Sequence, residues 1–446
     1  MATPASLNAV LAASRFGYAA KAGELDVIGR DPKGWALRQL RISLPGSSVE
    51  LPNSSRMVGE MLEMRRDRRD KDDAARKAEN EQIKGVYLAE IAARVSAAAT
   101  STAPLLERLA HFWGNHFTVS GFRPFVRGFA PAFEREAIRP YVTGRFVDML
   151  LAAEHHPAML LYLDNAQSIG PDSQAGMRRN KGINENLGRE ILELHTLGVE
   201  GGYQQEDVEG LARILTGWSV ARLNDPDPGG FRFYPQLHEP GPKRLLGKTY
   251  PEQGEREGVL ALRDLASHPA TAHHIATKLA RYFIADDPPP DEIERVAGVF
   301  RSTGGDLKAV TAAVIESPAL WLRPFVKFRT PDDLVIAACR VADFVPPAPM
   351  LAGSLKSLNQ MPFYAPSPAG WPDDAASWVS PESVLRRAEW CETFANRLPQ
   401  PPDPMEVAQA TFGEALHDDT LQAIRRAPSR RVGLALLLAS PDFQRR

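Results

Sequence analysis

Apolar residues recur every three or four positions through most of this chain, and that pattern narrows the folds open to it. The stretches "PASLNAVLAASRFGYAA", "QEDVEGLARILTGWS" and "EREGVLALRDLASHPATAHHIATKLARYFIA" each place leucine or alanine on one face at helical spacing. A helix needs such a face to bury one of its sides. Few stretches alternate cleanly enough to be strands. The expected class is mainly α: a large multi-helix body with a small β-hairpin-like excursion. That excursion is residues 219–254, rich in Pro and Gly, where "FRFY" and "KRLLGKTY" alternate like short strands.

Proline runs divide the chain. "DDPPPDE" (286–292), "VPPAPM" (345–350) and "LPQPPDP" (398–404) each interrupt a helical pattern. The reading is a main helical body over 1–285 and a C-terminal helical part over 286–446 packed on it, with a Pro/Trp-rich loop over 345–381. Residues 56–84 form a charged helical arm. Its interleaved acids and bases mark a solvated helix and weaken any nucleic-acid reading. Residues 86–116 read as two further helices, with Thr102 ahead of Pro104 as a start signal.

Composition excludes several classes. The 446 residues are 43% hydrophobic and 24% charged, the balance of a globular chain, and a net charge of -2 gives no global field for nucleic acid or an anionic membrane. No window approaches the roughly 18–20 apolar residues that span a bilayer. The N-terminal stretch lacks a basic region, and Arg15 interrupts its apolar run, so no export signal is read and a cytoplasmic location is expected. Cys339 and Cys391, the only cysteines, read as small core residues. There is no GxxxxGK[ST] loop, no HExxH pair and no GxSxG elbow, so neither cofactor nor metal is expected.

The densest polar stretch is "NENLGREILELHTLG", 184–198. As a helix starting just after Asn184, at about 100° per residue, it puts Leu187, Ile191 and Leu194 on a core face. Glu185, Arg189 and Glu193 then step along another face by four residues, with Asn186 and Glu190 beside them. Pairs at that spacing support a helix by about 0.2–0.5 kcal/mol each. The ladder is an outer salt-bridged face, a buried structural network, or the wall of a cleft that holds a charged ligand or uses one carboxylate as a base. His195 lies about 200° from Glu193, so the two cannot chelate one ion, and His195 reads as a hydrogen-bonded core histidine.

Other candidates are His116 in "HFWGNHF", where His111 and Asn115 share a helical face, and His238 in "LHEPGPKRLLG". Beside His238, Glu239 and Lys243 offer acid–base and anion-contacting groups if the loop closes over the charged helix. Glu185, Arg189, Glu193, His116 and His238 are therefore the candidate catalytic residues. In the loop "PFYAPSPAGWPDDAASW", Trp371 and Trp378 either form a stacking wall or staple the loop to the body.

Three stretches, "FWGNHFTVS" (112–120), "NENLGREILELHTLGVEGGYQQEDVEGLARILTGWS" (184–219) and the one containing "GWPDDAASWVSPESVLRR", resemble the bacterial family catalogued as domain of unknown function 1800. "HPAMLLYLDN", "HPATAHHIATKLARYF" and "GGDLKAV" extend the resemblance across most of the chain. It implies a mainly helical protein without an assigned activity, and a sulfatase- or phosphatase-like protein as partner. Gln204 stands where the family pattern has Thr, which puts that threonine's helix cap in doubt. The missing export signal also departs from many members. Two functional readings follow: a polar Glu/Arg/His cleft for an unidentified small molecule, with hydrolytic or acid–base chemistry, or a non-catalytic scaffold for that partner.

Overall fold

Two helices that are buried on nearly every side form the axes of the fold. The first, Pro104–His116, begins on a proline whose missing N–H would have had no partner anyway, and it is buried continuously from Pro104 to Trp113. Its start is preceded by Ala103, one residue later than the Thr102 signal suggests. The second, Pro331–Val341, is buried from Pro331 to Arg340, and the Thr330 hydroxyl caps it by accepting the Asp333 N–H. A helix without a polar face is stable only inside an assembly of other helices. Each axis has its own hydrophobic cluster. One is drawn from residues between Ala9 and Leu320. The other is drawn mainly from 334–443, with Val10, Tyr18, Ala19, Tyr87, Ile91 and Val95 joining it.

The computed structural model describes residues 4–44, 50–67, 73–123, 126–179 and 182–446. It contains 24 α-helices and, among those residues, two small antiparallel two-stranded sheets. The chain is thus mainly α, with both sheets lying within residues 218–250. Cys339 and Cys391 are both buried and unpaired.

The charged arm does not end where its composition changes. Helix Asp73–Thr100 runs from the arm straight into the body, burying Tyr87, Ile91, Val95 and Ala98 on one side. Helix Ser54–Asp67 is held by buried Met57 and Val58. Residues 68–72 of the arm lie outside the described residues.

The excursion holds two hairpins. Lys243–Leu245 pairs with Lys248–Tyr250, as the alternation in "KRLLGKTY" suggests. "FRFY" instead pairs backwards: Phe231–Phe233 lies against Trp218–Val220, which the helical pattern had absorbed into the end of the preceding helix. Asp207 ties the second hairpin down. Its Oδ1 accepts the Leu246 N–H at 2.6 Å while Oδ2 accepts the Gln204 N–H at 2.9 Å. Helix Gln205–Ile214 therefore starts from the Asp207 half of a capping box, which needs no threonine at 204.

Two helices widen into π turns, Glu134–Ile138 and Ile191–His195. In the first, the Arg139 N–H reaches back five residues to the Glu134 carbonyl. Pro140, which has no N–H, follows directly. In the second, the extra residue per turn changes the expected phase. His195 is wholly buried, whereas Leu194, expected on the core face, is only half-buried. The Thr196 hydroxyl donates to the Ile191 carbonyl at 2.6 Å.

Candidate functional site

Arg94 sits where the two hydrophobic clusters meet. It projects from helix Asp73–Thr100, and its guanidinium bridges carboxylates from two other elements. Nε donates to Glu134 Oε2 at 3.1 Å and Nη1 donates to Asp332 Oδ2 at 2.8 Å. Glu134 opens the first π turn, a geometry that recurs at functional positions. Asp332 lies in the first turn of helix Pro331–Val341, where the helix dipole favours negative charge. The three side chains are 11%, 7% and 13% exposed, so their charges interact with little screening.

Burial pushes the Glu134 carboxyl above its ordinary value, against the opposing pull of Arg94 and Arg139. Burial works against the Arg94 charge as well, but Asp332 and Glu134 outweigh it and keep the guanidinium protonated. His111, one turn before Asn115, is driven well below its ordinary pKa by burial and then by Arg94, so it is neutral. Its Nδ1 lies 2.8 Å from the Tyr18 hydroxyl. Burial raises the Tyr18 pKa well above the ordinary value. Tyr18 therefore keeps its proton and donates it to Nδ1, which leaves the histidine hydrogen on Nε2.

Arg94, His111, Glu134 and Asp332 line a cavity of ≈ 80 Å³ with Asn115, Tyr282, Gln360, Trp371 and Asp373. Three polar atoms of its lining residues are buried without a hydrogen-bond partner, His111 Nε2, Trp371 Nε1 and Asp332 Oδ1. The first two donate and the third accepts. Asn115 closes the side formed by the Pro/Trp-rich loop: Nδ2 donates to the Trp371 carbonyl at 2.8 Å and Oδ1 accepts the Trp371 N–H at 2.7 Å. Trp378 Nε1 donates to the Pro372 carbonyl at 2.9 Å, and the two indoles lie 6.2 Å apart. Asn115 thus ties this loop to the body through the Trp371 main chain, while Trp378 holds the loop to itself.

A second cavity, of ≈ 340 Å³, shares Arg94, Glu134 and Phe363 with the first. Three arginines and three glutamates line it, each arginine matched to one glutamate. Arg135 meets Glu90 at 2.8 Å, Arg139 meets Glu107 at 2.8 Å, and Arg94 meets Glu134. Ser96, Thr100, Ser101 and Thr102 add hydroxyls, while Ala97, Pro131 and Phe363 supply apolar surface.

The residues singled out from the sequence fall in three other places. Glu185 and Arg189 pair at 2.8 Å and share Gln205, on a face that is about one-third exposed. Glu193 is half-buried on the same helix. Asn184 does accept a helix-start N–H, that of Asn186, at 3.0 Å.

His116 is buried against the end of this helix. It meets the main chain there rather than the ladder, with Nε2 donating to the His195 carbonyl at 3.2 Å. His195 Nδ1 lies 2.8 Å from Glu154, a fully buried pair that makes it the hydrogen-bonded core histidine its angle implied. His238 is buried in the excursion. Its Nδ1 donates to the Thr216 carbonyl at 2.7 Å, and its Nε2 accepts from Lys243 Nζ at 3.0 Å, beside Glu257. The ladder, His116 and His238 thus occupy separate environments.

Arg94, Glu134 and Asp332 were missed, although each leaves a trace in the sequence. Glu90 and Arg94 are charged positions inside the alanine-rich run "VYLAEIAARVSAAAT", where a solvated face would carry more polar residues. "TPDDL" (330–334) is a helix start with two adjacent acids.

Fold and site together define a helical protein with a charge-lined double cavity at the junction of two hydrophobic clusters. Among the described residues, no group of three or more His, Cys, Asp or Glu side chains is arranged to hold a metal, and no helix is long and apolar enough to cross a membrane. The chain belongs to the family described as protein of unknown function (DUF1800), which it matches over residues 11–445. No curated protein and no solved structure matches it.

Proposed function

We propose that this protein binds an uncharged, hydrogen-bonding small molecule in the double cavity, and that Glu134 exchanges protons with it. The observation that carries the reading is the Glu134–Arg94–Asp332 bridge, which forms part of the wall between the two spaces. A charged ligand would have to break one of the arginine–glutamate pairs, leaving a buried partner uncompensated. A neutral polyol or sugar leaves every pair intact and still finds hydroxyls, carboxylate oxygens and the Phe363 ring. The volume of the larger cavity lies within the range of about 300–1,000 Å³ typical of ligand sites. A carboxyl held above its ordinary pKa by burial is the kind of group that serves in general acid–base catalysis.

Thermal melting of the purified chain against neutral sugars and polyols, with carboxylate and amine analogues alongside, tests this. Neutral compounds are expected to raise the melting temperature, and Ala97→Phe, which fills the larger cavity, to abolish the rise. Stabilisation by charged analogues alone, or a rise that survives Ala97→Phe, would refute the assignment. Glu134→Gln separates binding from chemistry, since it keeps the shape of the site and removes the titrating proton.

A further inference from the structure

Behind the Asp332–Asp333 wall lies a second concentration of charge, outside the double cavity, with far more cation than anion. Arg15, Arg108, Arg329 and Arg446 are each 0% exposed. Their anchors run largely to main-chain carbonyls. Arg15 Nη1 donates to the Ile284 carbonyl at 2.8 Å and Nη2 to the Arg446 carbonyl at 2.7 Å. Arg108 Nε donates to Gly17 at 2.8 Å, and Arg329 Nε donates to Phe443 at 2.8 Å. One carboxylate side chain contacts the group directly, and Asp286 acts on Arg15 from further away. Asp333 contacts Arg108 Nη1 with both oxygens at 3.0 Å and Arg446 Nε with Oδ2 at 3.0 Å. A main-chain carboxylate at residue 446 would add one negative charge and still leave the guanidiniums in excess.

Several of their N–H groups remain unsatisfied. Arg15 Nε, Arg108 Nη2, Arg329 Nη2 and both terminal nitrogens of Arg446 are buried without a hydrogen-bond partner. Native interiors seldom leave charged donors in that state, since each then loses its solvation without recompense. The groups also repel one another: burial first, and then Arg446, Arg108 and Arg329, hold the Arg15 pKa well below its ordinary value. Aromatic faces close the cluster, with Tyr18 4.3 Å from the Arg108 guanidinium and Tyr282 4.7 Å from that of Arg446.

We infer that this cluster binds a small inorganic anion of the halide class, coordinated by the unsatisfied guanidinium nitrogens. The four arginines come from segments of both hydrophobic clusters, so the ion joins the two halves of the core behind the ligand site. Closure by two aromatic rings and the absence of exposure favour a monatomic ion over a tetrahedral one.

The test uses bromide. Crystals of the whole chain soaked in bromide are expected to show an anomalous peak within hydrogen-bonding distance of at least two of the unsatisfied nitrogens. In solution, chloride or bromide should raise the melting temperature saturably over gluconate at equal ionic strength, by roughly 1–3 °C at tenfold over the dissociation constant. Arg329→Met should diminish that shift. Water-filled density without an anomalous signal at the cluster overturns the inference. So does a melting shift whose bromide peak lies elsewhere, or one equalled by gluconate. None of these outcomes depends on whether neutral ligands bind the double cavity.

Discussion

Replacing Arg94 by methionine keeps the length of the side chain and removes the cation that two buried carboxylates share. Glu134 and Asp332 are 7% and 13% exposed, so neither recovers its solvation in water. Stranding one partner of a buried pair costs about 3–5 kcal/mol. The same range is expected here, because Arg139 also acts on Glu134 and offsets part of the second loss. The penalty should depend on pH with a defined sign. Burial already raises the Glu134 carboxyl and Arg94 opposes that, so without Arg94 its folded-state pKa lies further above the unfolded one and stability is lost as pH rises through the folded value. It is regained as pH falls, by about 1.4 kcal/mol per pH unit for each carboxyl protonated only in the folded state. Urea unfolding followed by circular dichroism at about pH 8 and about pH 5.5 measures both effects. The triple variant Arg94→Met, Glu134→Gln, Asp332→Asn should recover most of the loss, since no charge is then left unpaired. A loss below about 1 kcal/mol at the higher pH, the size of an exposed pair, would refute the buried bridge. A loss that grows on acidification would refute it equally.

Two further predictions concern the scaffold. Gly210→Ala places a Cβ 1.9 Å from the Arg244 carbonyl, so the hairpin must shift. The cost should be about 1–3 kcal/mol or more by chemical unfolding. Gly298→Ala, also within a helix but with only a flexible Arg301 tip at 3.8 Å, should be neutral or stabilising by up to about 1 kcal/mol. At the exposed His417, the Asp442 hydrogen bond raises the pKa. Its small stabilisation is present below the ordinary histidine pKa and fades as pH rises through the folded value. Titration by NMR should show Asp442→Asn lowering the pKa toward the ordinary value, and an unchanged midpoint would contradict the contact.

The parts of this protein legible in its sequence are those set by neighbours along the chain. Leucine spacing locates helices such as Gln205–Ile214 and Pro269–Phe283. The alternation in "KRLLGKTY" marks a hairpin, and the angle of His195 assigns it to the core. Local rules failed where a backbone irregularity changed the phase. The π turn Ile191–His195 rotates Leu194 partly out of the core, and no i, i+3 or i, i+4 pattern anticipates an i to i+5 turn. The strand Trp218–Val220 was hidden in the same way, because its partner lies beyond an intervening loop.

The candidate site depended on distance of another kind. The ladder Glu185, Arg189, Glu193 drew attention because its charges lie close together in sequence, yet Glu185 and Arg189 mainly satisfy each other and Gln205 at a partly open face. Arg94, Glu134 and Asp332 lie on three separate elements, the two acids 40 and 238 residues from Arg94 along the chain, so no local spacing groups them. Sequence by itself determined that this chain is helical and where its faces lie, because helix formation is governed by contacts within a turn. Only the tertiary structure decided which charges meet out of water. That choice rests on packing between helices far apart in the chain, and on each buried charge needing an opposite one within reach.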